Sequence, residues 1–448
     1  MTSKRAEELL KADEELILHP AWPIGSEAAG LVFEKAKGVI LQDVDGKEYI
    51  DISGQLMNVN LGHGRREIID AIVKQANELQ YTDAFRGKSS RATIECAQNL
   101  AKITPAGLKH FLFAAGGSEA NEYAFELARL YWRRQQKANK FKIISLRHSY
   151  HGISFAAATA SGIGRGNITA GFEPSVPGFL RIPSYCCYRC DFGLEYPGCG
   201  MHCAKYLETT IEDHGAESVA AFIAEGMHGA GGVIPPPPEW WPLIREICTK
   251  HNVLLIDDEV MSGFCRTGRM FAIENWGVVP DMMTMSKGIN SAYLPFGAVA
   301  INDMVFEGLK GSIFIGFSSC GNPICSAAAS AAIDVYIRER IAEHVAKVGE
   351  HVKKRLDTEF GPLPYVGDIR GLGLFIGIEL VADKATKAKF DPALNVPEKL
   401  GRQMREKGIL VRADDAMIVV APPLIITKEE IDRALDVMYP VLADFKPV

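Results

Sequence analysis

Two short apolar runs constrain this chain more than any other feature. Val253 to Ile256 ends in three consecutive acids, Asp257, Asp258 and Glu259, and Met282 to Met285 leads through Ser286 to a lone Lys287. Asp258 and Lys287 stand 29 positions apart, the length of a strand, a crossover and the next parallel strand. Runs this short and this apolar read as strands buried on both faces. Each would deliver its polar residue at a carboxyl end, where open α/β sheets gather ligands. A carboxylate and an amine are therefore expected to face one crevice.

The rest of the chain supplies such a sheet. Strands are expected at Phe111 to Phe113, Lys142 to Leu146 and Val219 to Ala224, with helical periodicity between them, which predicts a largely parallel sheet covered by helices on both faces. Earlier, residues Met1 to Glu34 read as an amphipathic helix followed by the irregular segment HPAWPIGSEAAG. Gly38 to Ile52 alternates around Asp45-Gly46 as a hairpin. Helices are expected at Arg66 to Leu79 and at Thr93 to Ile103, where Pro105 ends the pattern. Later come a rigid connector at Pro235 to Pro238, an alanine-rich helix after Gly321, a strand near Met417 to Val420 and a final amphipathic helix. Gly371, Gly373 and Gly377 run into the strand pattern LFIGIEL and no helix follows, which defeats a dinucleotide-binding reading.

With 448 residues the chain exceeds one ordinary core, so one large and one smaller domain are expected. Net charge is −6 with no long run of one sign, which leaves no basic footprint for nucleic acid and no polybasic patch for a membrane. No stretch reaches the roughly 18 apolar residues of a membrane span, and the N-terminal stretch lacks a signal-peptide core. The expectation is a cytoplasmic protein whose ten cysteines are mostly reduced.

The polar residues at these strand ends match what pyridoxal 5'-phosphate demands: a lysine to carry it, an acid for its pyridine nitrogen, a phosphate cradle and a cover for the ring. Lys287 and Asp258 fill the first two roles. Gly116-Gly117-Ser118 joins a strand to a helix, a turn that offers backbone N–H groups to an anion. Tyr150 and Val260 could cover the two ring faces. Each has a plainer alternative: a solvated surface lysine, a capping aspartate (a role open to Asp257 as well), an ordinary strand-to-helix turn, core side chains. Only the joint arrangement favours the cofactor.

Several further stretches share one order with a known family. They are Gly46-Lys47 to Asp51, Leu61-Gly62-His63, Gly117-Ser118-Glu119-Ala120-Asn121, Tyr150-His151-Gly152, Asp258-Glu259-Val260, Gly263-Phe264, Arg266-Thr267-Gly268, Ser286-Lys287-Gly288, Gly321-Asn322-Pro323 and Pro422-Pro423-Leu424. From about His19 to the C-terminus the chain resembles the class III, or omega-, aminotransferases of pyridoxal phosphate fold type I, and within them the taurine, β-alanine and amine:pyruvate branch. The resemblance implies an α/β large domain at 61–316 with a mostly parallel seven-stranded sheet, carrying a cysteine-rich insertion at about 184–204. A smaller α+β domain would be built from both termini, 1–60 and 317–448.

It also implies catalytic roles for Lys287, as the Schiff-base lysine, and Asp258, as the pyridinium partner. Gly117, Ser118, Tyr150, His151, Glu225 and Val260 would bind the cofactor. Ser318 stands where the family places a threonine that reaches the neighbouring subunit's phosphate, which implies a homodimer, or a tetramer built from it. Gln55, Met57 and Arg412 would line the substrate pocket, with Arg412 matching the arginine that receives a keto acid's carboxylate. Met261 replaces a common glutamine, and Glu225-Gly226-Met227-His228-Gly229 replaces a common Glu-Pro-Val-Gln-Gly. The implied reaction is ping-pong transfer of an amino group from an omega-amino acid, taurine-like or simple amine donor to pyruvate or 2-oxoglutarate. A decarboxylase, aminomutase or epimerase of the same fold is an alternative, and Gln55 resembles a glutamine of a decarboxylating relative. A non-catalytic, metal-stabilised interaction protein is the alternative of another class. That last reading comes from Cys187, Cys190, Cys199 and Cys203, whose spacing suits a structural zinc, with reduced thiols or an adventitious disulfide as the plainer alternatives; no catalytic metal is expected.

Overall fold

The computed structural model describes residues 3–20, 30–163, 171–414 and 416–446. Most of the irregular segment expected after the first helix, residues 21–29, lies outside them. The main sheet has seven strands in the order His110–Ala114, Gly297–Ile301, Met282–Met285, Leu254–Asp258, Val219–Glu225, Lys142–Leu146, Phe179–Ile182. Gly297–Ile301 runs antiparallel to both neighbours and the remaining pairs are parallel. Sequence reasoning overlooks this strand because GAVAI is built from small residues with a single β-branched pair, a weak strand signal.

Alternation along the central strands assigns side chains to the two faces. Ile223 and Ile256 pack with Ala124, Leu127 and Ala128 of the helix Gly117–Arg134 on one side, while Phe222 and Leu255 join the core containing Trp240 and Ile244 on the other. Both layers exclude water, so the strand ends between them hold fixed positions. The alanine-rich helix Pro323–Arg338 lies against Arg66–Glu78 and Arg91–Ile103, its small side chains letting three helices approach closely.

Two four-stranded sheets flank this body. One contains the predicted hairpin, Ile40–Asp43 and Glu48–Asp51, with Phe33–Lys37 on one edge and, on the other, Ile409–Leu410 pairing parallel to Glu48–Asp51. The two ends of the chain thus meet in one sheet. The other runs Val366–Leu372, Phe375–Leu380, Met417–Val420, Arg412–Asp414. Arg266, fully buried in the loop after Asp258, ties these parts together: its guanidinium donates to the carbonyls of Leu374 (3.1 Å) and Pro422 (2.6 Å) and to Asn60 Oδ1 (2.9 Å). Among the described residues no helix is long and apolar enough to cross a membrane.

Candidate active site

The sheet's carboxyl edge aligns the acids. Glu225 and Asp258 are register partners at the ends of adjacent parallel strands, and Thr284 is the partner of Asp258 on the next. Lys287 follows that next strand, three residues beyond Thr284, with φ of +46°, a left-handed conformation that a β-carbon disfavours. Strain of this kind is held only where the surroundings over-determine it. Here the buried strand on one side and the packed turn Gly288–Asn290 on the other leave the lysine no relaxed path.

Asp258 is buried and oriented by three donors. Its Oδ2 accepts from Asn121 Nδ2 and from His151 Nδ1, each at 2.8 Å, and its Oδ1 accepts from the Val260 N–H at 3.0 Å. Asn121 is itself fixed, because its amide also donates to the His151 carbonyl and its Oδ1 accepts from the Thr284 hydroxyl, both at 2.8 Å. Asp257 points into a different environment, buried beside Glu259, and burial with these like charges pushes its carboxyl well above the usual range. Glu259 accepts from Ser262 Oγ at 2.6 Å and the Ile273 N–H at 2.8 Å; burial raises it to about 7. The three consecutive acids therefore separate into a site-facing Asp258 and an inward pair.

Glu225 accepts from the N–H groups of Tyr150 and Gly229, each at 2.9 Å, and from His228 Nδ1 at 3.1 Å. Burial raises Glu225 to about 7 and lowers His228 to about 3. The imidazole is thus neutral, donating through Nδ1 and accepting the Ser184 hydroxyl at Nε2, 2.6 Å away. Lys287 is lowered to about 8 by burial first and by the positive charge of Arg412 second, against the opposing pull of Asp258 and Glu225. Tyr150 is raised by burial, and Arg412, Asp258 and Glu225 all lie within electrostatic reach of its hydroxyl. Residues from positions 150, 225, 258, 287 and 412 thus share one site.

The glycine turn opens beside it. Gly116 caps the helix Gly117–Arg134 without a side chain to satisfy the first N–H groups. A β-carbon on Gly117 would sit 2.6 Å from Val260 Cγ1, and one on Gly152 would sit 2.3 Å from Ser118 Oγ. Both glycines keep backbone and hydroxyl close together at the helix start.

The aminotransferase class-III family profile matches residues 23–442. The chain belongs to the class III aminotransferases. A putrescine–pyruvate aminotransferase of Pseudomonas aeruginosa is 34% identical over 420 residues, covering 92% of this chain and 90% of its own. A taurine–pyruvate aminotransferase of Bilophila wadsworthia is 34% identical over 417 residues, covering 90% of each chain. The crystal structure of a thermostable (S)-enantioselective omega-transaminase from Thermomicrobium roseum matches with a TM-score of 0.94 and 38% identity over 98% of both chains. This chain is accordingly an enzyme that transfers amino groups with pyridoxal phosphate on the fold-type-I scaffold, which removes the non-catalytic alternative.

The residues present in this aminotransferase suit that cofactor. The N-terminus of an 18-residue helix with no side-chain cap favours an anion. A buried carboxylate whose Oδ1 takes only the Val260 N–H among the described residues has capacity left for a protonated ring nitrogen, and an amine lowered to about 8 is partly neutral at neutral pH. Other predicted residues have different surroundings. His151 lies against Asp258, and its Nε2 is buried without a protein partner among the described residues. Gln55 donates from Nε2 to Asp51 Oδ2 at 3.0 Å. Met57 and Met261 pack together with Phe375 and Val419 in one apolar cluster. Arg412 donates from Nε to Asp414 Oδ2 at 2.7 Å, and Ser318 is exposed.

Sequence reasoning assigns no role to Asn121, Thr284, Ser184 or His228. Two of them have a findable signal: Asn121 is one helical turn beyond Gly117 and so shares its face, and Thr284 sits opposite Asp258 if the two runs pair in register. Ser184 and His228 meet only through the fold.

Proposed function

We propose that Lys287 and Asp258 carry the chemistry of amino transfer and that the donor is an omega-amino acid, a taurine-like compound or a simple amine, with pyruvate or 2-oxoglutarate as acceptor. The observation that carries this reading is the convergence of the Lys287 amine and the Asp258 carboxylate with Tyr150, Glu225 and Arg412. Bound pyridoxal phosphate supplies an electron sink that acidifies the substrate's Cα. Gly117 and Ser118 would hold its phosphate, Tyr150 and Val260 its ring faces, and Asp258 the proton on its ring nitrogen. Asn121 and His151 keep that carboxylate aimed. Released as a free amine, Lys287 takes the Cα proton and returns one on the way back; burial keeps enough of it neutral to act as a base.

Arg412 would receive the acceptor's carboxylate by a charge-assisted contact. Its present partner Asp414 is half-exposed and only two residues away on the same strand, so the guanidinium can leave it at small cost. We place the buried Met57, Met261 and Phe375 cluster on the donor side, where it supports taurine-like or simple amines over donors of the ornithine type.

Exposed Phe314, 94% accessible and beside the exposed Ile313, supports a homodimer that covers this apolar strip and brings Ser318 to the neighbouring subunit's phosphate site. Ten cysteines without a disulfide support a cytoplasmic location. We assign 61–316 to the cofactor-binding domain and the remainder to the smaller one. The test is initial rates with taurine, β-alanine, GABA and arylalkylamines against both keto acids. A donor that turns over without any keto acid, releasing carbon dioxide, would replace this reading with the decarboxylase alternative.

A further inference from the structure

Residues 183–201 run from the outermost strand Phe179–Ile182 to the helix His202–His214 without forming a strand or a helix. The segment nonetheless holds His228, a hydrogen-bond partner of Glu225. Ser184 binds His228 Nε2, Tyr185 accepts the His228 N–H at 3.1 Å, and the Tyr185 ring stacks on the imidazole with centroids 4.4 Å apart. Arg189 pairs with Glu379 and donates to the Lys387 carbonyl at 2.8 Å, docking the same loop on the C-terminal sheet. A segment with so few backbone hydrogen bonds of its own requires some other restraint to hold these positions.

Cys187 and Cys190 are separated by two residues, and Cys199 and Cys203 by three. Tight turns fold the stretch between the pairs: the Gly193 N–H donates to the Cys190 carbonyl and the Cys199 N–H to the Glu195 carbonyl. Cys203 lies in the first turn of the helix His202–His214. All four cysteines line one cavity of about 20 Å³ whose other walls include Phe192, Leu194 and Met201. That volume admits a single atom-sized occupant.

We propose that Cys187, Cys190, Cys199 and Cys203 bind one structural zinc ion that staples this loop to the helix His202–His214. Two cysteine pairs at this spacing suit tetrahedral Cys₄ coordination, and a reducing compartment favours thiolate ligation over disulfides. Binding is a ligand exchange: the hydrated dication gives up its water, four thiols release their protons to solvent, and the filled site carries a net charge of 2−. The sulfurs stand wider than a coordinated set. Among the described residues, the three candidate ligands with atoms all within 4.8 Å of one another are Glu208, Glu212 and His251, a surface group already paired with Lys250. The ion must therefore draw the cysteine sulfurs inward to about 2.3 Å from itself. Through Ser184 and Tyr185 the staple would fix His228 and hence Glu225; this consequence rests on the proposed role of Glu225, whereas the ion's presence does not.

The test uses the full-length holoenzyme, purified under reducing conditions and reconstituted with zinc, then freed of loose metal by gel filtration. Elemental analysis is expected to show one zinc per chain, and X-ray absorption four sulfur neighbours at about 2.3 Å. Cys187→Ser and Cys203→Ser should lose the ion, while Cys325→Ser, outside the cluster, should keep it. If the serine variants fail to fold, the wild-type spectrum still decides. Protein that holds no zinc and titrates all four thiols as free, a disulfide within the set, or an absorption spectrum of oxygen and nitrogen neighbours each overturns the proposal. Amino-transfer rates do not enter these readouts, so a wrong substrate assignment leaves the result intact.

Discussion

The floor and the rim proposed for the site are built in opposite ways. Asp258, Glu225 and Thr284 lie on adjacent strands, are almost wholly buried, and are held by hydrogen bonds of 2.8–3.1 Å to neighbours that are themselves held. Gln55, Arg412 and Ser318 come from distant parts of the chain, are half-buried or exposed, and have partners that are local or solvent-accessible. A sheet edge fixes geometry that chemistry requires to within tenths of an ångström, whereas a rim on turns and on a short edge strand can change without disturbing it. Chemistry and selectivity are thus expected to separate under mutation.

The strongest way to break that division is at its floor. Lys287→Ala should abolish steady-state transfer, by about 10⁴-fold or more, since it removes the proton carrier altogether; single-turnover absorbance of the cofactor would show residual chemistry, and a loss under tenfold would contradict the assignment. Asp258→Asn preserves shape but removes the charge opposite the ring nitrogen, and an electrostatic loss of about 10²–10³ in kcat is expected with KM for amine little changed. At the rim, Arg412→Ala should raise KM for the keto acid by about 10–100-fold, the cost of a lost charge-assisted bond, while leaving the amine half-reaction within a factor of a few. Equal damage to both half-reactions would place Arg412 in the floor. Met261→Gln, which puts an amide into the apolar cluster with Met57, should shift the taurine-to-GABA rate ratio by up to about tenfold without lowering total turnover.

The smallest effect on activity is expected where the floor meets the core. In the folded protein Asp257 and Glu259 keep protons that the unfolded chain loses near 3.8 and 4.5 respectively, with Glu259 displaced to about 7. The unfolded state then binds fewer protons than the native one, so stability falls as pH rises from the unfolded value through about 7. Asp257→Asn removes one of the two charges, and urea melts at about pH 5 and about pH 8 should show a flatter pH dependence than wild type. An unchanged slope would mean the pair is not the source.

Much of the floor is legible in the sequence. A buried strand must end somewhere, and a charged residue at its end has few places to point, so apolar runs alone locate Asp258 and Lys287. The choice of Asp258 over Asp257 comes from the resemblance, since alternation along the strand says only that the two side chains point to opposite faces. The rim is legible only through resemblance, because a half-exposed glutamine or arginine leaves no periodic trace in a sequence. The strand Gly297–Ile301 and the links from Ser184 to His228 leave none either.

The sequence by itself determined the parallel strands and helices at the middle of the main sheet, the glycine turn at a helix start and the positions of the acid and the amine, since each depends on local periodicity and on which residues can be buried. Only the tertiary structure decided that Arg412 lies within electrostatic reach of Lys287, that Asn121 bridges Asp258, His151 and Thr284, and that residues near both ends share one sheet. Those relations depend on which surfaces pack together, and packing is a property of the whole chain that no window of sequence contains.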